Sequence, residues 1–159
     1  MRDLIQRLVL KEGNYRDWRF KDSAKDQDKL KLALEAWHNK EAAAQHAGSL
    51  ALSLETDEAG DNDDKFYKSS KKFGSTVRGM DKKARSWQTS LNMWMDGKDP
   101  YTDKIKTGFQ ATRKSAMALL KAMTPLVAKA QSLGNYEVKL AKESLTALVK
   151  SIDAALKVL

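Results

Sequence analysis

The chain has 159 residues, of which 42% are hydrophobic and 31% are charged, and its net charge is +8. This length and composition are typical of a folded protein and exclude a disordered one, so we expect residues 1–159 to form a single domain. Because the sequence contains no cysteine, it excludes disulfides, thiol catalysis and thiolate metal sites.

Residues 2–12 have an amphipathic pattern that predicts a short N-terminal helix, with Gly13 placed to end it. These residues carry charges where a secretory signal needs an apolar run, and no segment approaches the ~20 apolar residues that span a bilayer. The sequence therefore predicts an intracellular, soluble protein with neither a signal peptide nor a transmembrane segment. A substrate of a signal-independent secretion system, or a virion component, would share these features.

A long helix is predicted from about residue 24 to residue 54, because Ser23 and Asp26 resemble a capping arrangement. Its apolar stripe consists of Leu30, Ala33 or Leu34, Trp37, Ala44, Ala47, Ala51 and Leu54. Lys40 and Glu41 interrupt this stripe, so we expect this helix to be the least regular of the long helices.

Residues 55–64 contain six acidic residues and no basic one, and they predict a flexible loop. The segment does not fit a calcium-binding EF-hand, in which position three is an oxygen ligand, position six is glycine and position twelve is glutamate. If the motif began at Asp57, those positions would be Ala59, Asn62 and Lys68.

Three further stretches keep apolar residues on a 4-3-4-3 spacing, which places them on one narrow stripe of a helix that must pack against another helix. The first predicts a helix over about 65–96, with Phe66, Ser70, Phe73, Val77, Met80, Ala84, Trp87, Leu91 and Trp94. The second predicts one over about 100–133, with Ile105, Phe109, Thr112, Ala116, Leu119, Met123, Leu126, Ala130 and Leu133. The third covers 136–159, with Val138, Ala141, Leu145, Leu148, Ile152, Ala155 and Leu159.

Prolines and glycines set the predicted helix boundaries. Pro100 suits the first turn of a helix, whereas Pro125 should kink its helix or split it after Met123. Gly97 and Gly134 leave only short connections, which force neighbouring helices to run antiparallel. The predicted fold class is therefore all-α, an elongated antiparallel four-helix bundle with a short N-terminal helix.

Positive charge is concentrated in residues 65–85, which contain eight basic residues and only one acidic residue. On a helical wheel all eight lie opposite the apolar stripe: Lys65, Lys68, Lys71, Lys72, Arg78, Lys82, Lys83 and Arg85. Such a face can follow a phosphate backbone or an acidic partner. The alternative is a solvated outer face, partly neutralised by residues 55–64 and by an Asp64–Lys68 pair at i,i+4.

The sequence contains no pattern typical of catalysis or of metal binding. Glu35 and His38 have the Glu-x-x-His spacing of di-iron bundles, but the only other histidine, His46, has Ala43 at the matching position. We therefore expect no enzymatic activity, no cofactor and no metal site.

The sequence favours a non-catalytic helical interaction or assembly protein, which presents coiled-coil-like helix surfaces to a protein partner or to itself. The alternative is a nucleic-acid-binding bundle that uses the basic face of residues 65–85. Contact with a membrane surface is a third hypothesis, because Lys139, Lys142, Lys150 and Lys157 lie opposite the last apolar stripe. A solvated bundle helix has the same pattern and is the preferred interpretation.

Overall fold

The computed structural model describes residues 24–95 and 102–159. Within these ranges it contains five helices and no strand: α1 (Ala24–Glu55), α2 (Ala59–Asn62), α3 (Asp64–Met95), α4 (Thr102–Lys129) and α5 (Asn135–Val158). The short helix predicted over residues 2–12 lies outside the described residues.

The four long helices form a bundle in which each one packs against two others. Helix α1 contacts α3 and α5, helix α4 contacts the same two helices, and the short α2 packs on α3. The hydroxyl of Ser53 donates a 2.6 Å hydrogen bond to Glu137, so the end of α1 lies beside the start of α5. Likewise, Lys129 at the end of α4 pairs with Asp63 just before α3, at 3.3 Å. The prediction of an all-α antiparallel bundle is confirmed, and the 32 residues of α1 extend for about 48 Å.

The apolar stripes of α3, α4 and α5 face the interior wherever the structure describes their side chains, whereas in α1 Ala43 is fully buried and the predicted Ala44 is only half-buried. Buried positions include Phe66, Phe73, Val77 and Met80 on α3, Ile105, Phe109, Ala116, Leu119, Met123 and Leu126 on α4, and Ala141, Leu145, Leu148, Ile152 and Ala155 on α5. The ends of the patterns, at Ala130, Leu133, Val138 and Leu159, are only half-buried. The side chains of Ala84, Trp87, Leu91 and Trp94 lie outside the described part of α3.

The two polar members of the stripes, Ser70 and Thr112, are also fully buried. Neither hydroxyl forms a hydrogen bond within the described part of the chain. An unsatisfied buried hydroxyl typically lowers the stability of a fold by about 1–3 kcal/mol. The apolar packing around Ser70 and Thr112 must therefore offset that cost.

Helix α1 differs from its prediction at Lys40, which belongs to the buried face and does not interrupt it. Lys40 is only 2% exposed. Its ammonium group lies 3.4 Å from carboxylate oxygens of both Glu41 and Asp81, and 5.7 Å from the centre of the Trp37 ring. The aliphatic part of a lysine side chain packs well among apolar groups once its charge has such partners. A buried face assigned only from the spacing of apolar residues leaves such a lysine out.

Helix α4 differs from its prediction at its C-terminal end. It is not split after Met123 but continues through Pro125 and ends at Lys129, four residues before the predicted end at residue 133. An internal proline removes one backbone hydrogen bond, and the packing of α4 against α3 and α5 stabilises the helix across that gap.

The predicted acidic connection over residues 55–64 does lie between two long helices, but it is more ordered than an irregular loop. This segment contains the helical turn α2, and its first aspartate, Asp57, is only 4% exposed. The Asp57 carboxylate accepts hydrogen bonds from the backbone N–H groups of Ala59, Gln131 and Ser132, at 2.9, 3.0 and 3.0 Å, and from the Ser132 hydroxyl at 2.9 Å. One side chain therefore joins the α1–α2 connection to the α4–α5 connection, and we call this set of contacts the Asp57 clasp.

The first prediction concerns the core. Leu145 is fully buried, whereas Leu52 is 64% exposed, so the same change from leucine to alanine should destabilise the fold at the first site and have little effect at the second. Leu145→Ala should lower the free energy of unfolding by ~2–5 kcal/mol, and Leu52→Ala should change it by less than ~0.5 kcal/mol. Urea denaturation followed by circular dichroism measures both values. Equal destabilisation by the two variants would contradict the assigned burial.

The second prediction concerns the pH dependence of stability. Burial opposes ionisation of Asp57, but the bonds from Gln131, Ala59 and Ser132 outweigh it and lower the pKa of Asp57 from 3.8 to about 2. The clasp should therefore stabilise the fold above pH ~4, and that contribution should disappear as the pH falls from ~4 to ~2. We expect it to be about 1–2 kcal/mol after allowance for solvent screening.

Asp57→Asn should accordingly be less stable than the unmodified chain at pH 7, and the difference should shrink below pH 4. Asp61→Asn is the matched control, because Asp61 is an exposed carboxylate on the neighbouring turn α2. Thermal unfolding across this pH range provides the comparison. A constant difference between the Asp57 variant and the unmodified chain at every pH would show that ionisation of Asp57 does not stabilise the fold.

Candidate functional site

The basic face predicted over residues 65–85 lies along the outside of α3. The six members whose side chains are described are all exposed: Lys65, Lys68, Lys71, Lys72, Arg78 and Lys82. The side chains of Lys83 and Arg85 lie outside the described part of the structure. The helical-wheel placement is therefore right at every member that the structure describes.

Asp63 fixes where this face begins, because it caps the N-terminus of α3. Its carboxylate accepts hydrogen bonds from the backbone N–H groups of Lys65 and Phe66, at 3.0 and 3.1 Å. The bond from Phe66, assisted by Lys129, lowers the pKa of Asp63 below its usual value. The cap sets the rotation of α3, so that Phe66 points into the core and Lys65 points outward.

The acidic segment neutralises little of this face. Arg78 lies 3.5 Å from Glu55, and that carboxylate occupies the space where a β-carbon at Gly74 would stand. The predicted Asp64–Lys68 ion pair is not formed, and Lys71 instead lies over the ring of Tyr67, 5.4 Å from its centre.

Four lysines of this face have no acidic partner within the described residues: Lys65, Lys68, Lys72 and Lys82. No carboxylate oxygen there lies within ion-pair distance of their ammonium groups, whereas Arg78 and Lys129 each have one. The surface of α3 is therefore a field of positive charge with little local compensation.

An open groove of about 370 Å³ runs between α3 and α4 beside this face. The buried side chains of Phe66, Phe73, Leu119 and Leu126 form its floor. The remaining lining residues are Lys65, Ser69, Lys72 and Thr76 from α3, and Ala118, Ala122, Pro125 and Lys129 from α4. The groove thus has an apolar floor and a rim that carries three lysines.

Small residues on α4 explain why the groove is open. Ala118 and Ala122 have short side chains that do not fill the space beside α3, and Pro125 adds only a compact ring. Because Pro125 has no N–H, it cannot donate the helical hydrogen bond to the carbonyl of Lys121. That side of α4 therefore combines a shallow apolar surface with a backbone acceptor that lacks its usual helical partner.

The outward side of α4 has little charge. Between residues 117 and 128 its exposed positions are Met117, Ala118, Lys121, Thr124, Pro125 and Ala128, of which only Lys121 is charged. A second groove, of about 290 Å³, follows the other edge of this surface between α4 and α5 and is lined mainly by apolar side chains such as Met123, Val127 and Val138. We call the six exposed positions together with the two grooves the α4 surface.

The candidate metal-ligating residues of the sequence are not brought together in the part of the chain that the structure describes. No three carboxylate or imidazole side chains converge there. Glu35 is exposed on α1, and His38 is half-buried, with a pKa that burial lowers below its usual value. The buried Lys40 is engaged by Asp81 and Glu41, and no described helix combines the length and hydrophobicity that crossing a bilayer requires.

Sequence reasoning identified the basic face but missed the α4 surface. A signal was present, because residues 115–130 contain only two charged residues, Lys121 and Lys129, although 31% of the whole chain is charged. Apolar residues cover a wider arc of this helix than a single stripe facing the core requires. The grooves themselves depend on how α3, α4 and α5 pack, which no local pattern specifies.

The chain matches no protein-family model, no curated protein and no solved structure.

Proposed function

We propose that this chain is a non-catalytic helical interaction protein that binds a protein partner through the α4 surface. The observation that carries the proposal is the exposure of five uncharged side chains among six positions on one helix, with an apolar groove along each edge. Exposed apolar side chains grouped beside apolar grooves are unfavourable in water and are typical of interaction sites.

The shape of this surface also supports a protein partner. A ridge between two grooves offers side-chain anchors to helices that pack alongside it, which is how amphipathic helices bind to helical proteins. Met117, which is 45% exposed, supplies a flexible apolar group at one end of the ridge. Docking a helix there would remove the ridge from water without any change in the core.

The buried ionisable groups support the non-catalytic part of the proposal. Asp57 is occupied by four hydrogen-bond donors, and Lys40 lies between two carboxylates. Neither residue lines either groove of the α4 surface. Both have structural partners that account for their burial.

The third prediction tests this function. Met117→Arg places a charge on the α4 surface, and Leu52→Arg is the matched control, because Leu52 is an exposed apolar residue on α1. The immobilised chain is exposed to nuclease-treated lysate of its native cells, and retained proteins are identified by mass spectrometry. A protein retained by the unmodified chain and by the Leu52 variant should be lost with Met117→Arg, since a buried charge without a partner is strongly unfavourable. Identical retention by all three chains would contradict the proposal.

A second candidate function is nucleic-acid binding by the basic face of α3. The uncompensated lysines Lys65, Lys68, Lys72 and Lys82 are the specific observation in its favour. Each such lysine releases a counterion when it contacts a phosphate, which makes binding strongly dependent on salt. Four lysines on one helix face would suffice for weak binding that does not depend on sequence.

The fourth prediction tests this second candidate with mixed-sequence DNA and RNA in fluorescence anisotropy titrations. If α3 binds nucleic acid, the logarithm of the binding constant should fall with the logarithm of salt concentration by about 0.7–0.9 per phosphate contacted. Lys68→Glu with Lys82→Glu should abolish binding, whereas Lys142→Glu with Lys157→Glu on α5 removes the same charge elsewhere and should retain most of it. Absence of binding by the unmodified chain at ~50 mM salt would exclude this function for α3.

A further inference from the structure

Resting on the proposed interaction function, we infer that the groove between α3 and α4 binds an acidic amphipathic helix of the partner protein. The groove combines two features that such a helix recognises, an apolar floor and a basic rim. Each feature specifies one face of the occupant, and together they define its sequence pattern.

The floor determines the size and the apolar face of the occupant. The α3 wall extends from Lys65 to Thr76, which is about 16 Å or three helical turns. Phe66 and Phe73 are seven residues apart on α3, and Leu119 and Leu126 are seven residues apart on α4. The groove walls above these buried pairs repeat at the same spacing, so a helix that packs between the walls would present apolar residues at i, i+3 or i+4, and i+7.

The rim determines the charge of the occupant. Lys65 and Lys72 are also seven residues apart, and neither has an acidic partner among the described residues. Lys129 stands on the opposite wall, where Asp63 engages part of its charge at 3.3 Å. Acidic residues two turns apart on a docked helix would face both α3 lysines at once, so the groove selects glutamate or aspartate at i and i+7.

Charge also argues against the other occupants of this groove. A second copy of the chain would bring a molecule of net charge +8 against the same three lysines. Nucleic acid would satisfy the lysines but would leave the apolar floor without a partner. An acidic amphipathic helix is complementary to both parts of the groove.

The experiment uses a fluorescein-labelled helical peptide of ~14 residues, held by one side-chain staple, with leucines on one face and glutamates on both flanks. A matched peptide has lysine in place of every glutamate. Fluorescence anisotropy measures binding to the whole chain and to two double variants. Lys65→Glu with Lys72→Glu reverses the rim, and Lys150→Glu with Lys157→Glu reverses two exposed lysines of the same spacing on α5.

The acidic peptide should bind the unmodified chain, and the lysine peptide should not. Reversal of the rim should weaken binding by ~10-fold or more, whereas the α5 variant should stay within about twofold of the unmodified chain. Folding should survive the rim reversal, because Lys65 and Lys72 are exposed and glutamate is favourable in the first turn of a helix. Circular dichroism checks this.

Three results would overturn the inference: no binding of the acidic peptide, equal binding of both peptides, or equal loss of affinity in both double variants. Light scattering that shows a dimer disrupted by Ala122→Glu, in the groove wall, would also overturn it in favour of self-association. The proposed function is judged separately, by the effect of Met117→Arg on native partners. The proposed function would therefore stand if Met117→Arg lost a native partner, even though the groove peptide did not bind.

Discussion

The Asp57 clasp holds together the two connections at one end of the bundle and so constrains how α3 meets α4. A carboxylate that is almost fully buried satisfies three backbone N–H groups and a hydroxyl from two connections that lie 74 residues apart in sequence. The α1–α2 connection leads through the short α2 to the start of α3, and the α4–α5 connection follows the end of α4. The clasp therefore fixes the start of α3 relative to the end of α4. An ionised acceptor suits this role, since bonds to a charged group are stronger than bonds between neutral groups.

The groove between α3 and α4 follows from that arrangement. Asp63 caps α3 and also pairs with Lys129 near the end of α4, so the two helices meet beside the clasp with their basic residues outward. Small residues on α4 then leave a shallow groove above the buried rings of Phe66 and Phe73. The same residues that close this end of the core thus produce an apolar surface with a positive rim, which links the fold to an interaction function.

The sequence predicts the helices and most of the core, because burial of one helix face requires a repeat of about 3.5 residues that any chain must show. It does not predict Asp57, since an acidic run normally stays in water and the donors at Gln131 and Ser132 are brought to it only by tertiary packing. The burial of Lys40 and the continuation of α4 through Pro125 escape prediction for a related reason. Rules for local structure penalise a buried lysine and an internal proline, whereas the ion pair with Asp81 and the packing of α4 compensate for them. The basic face was predictable, and the groove beside it was not.

Amide hydrogen exchange of the α4–α5 connection, followed by NMR at neutral pH, tests whether Asp57 holds the two connections together. The N–H groups of Gln131 and Ser132 lie on exposed residues outside any helix, so only their bonds to Asp57 protect them. If the Asp57 clasp is formed, these two amides should exchange as slowly as amides inside α5 and much more slowly than that of Gly134 nearby. Exchange of Gln131 and Ser132 as fast as that of Gly134 would contradict it, because the two connections would then not be held together by the Asp57 carboxylate.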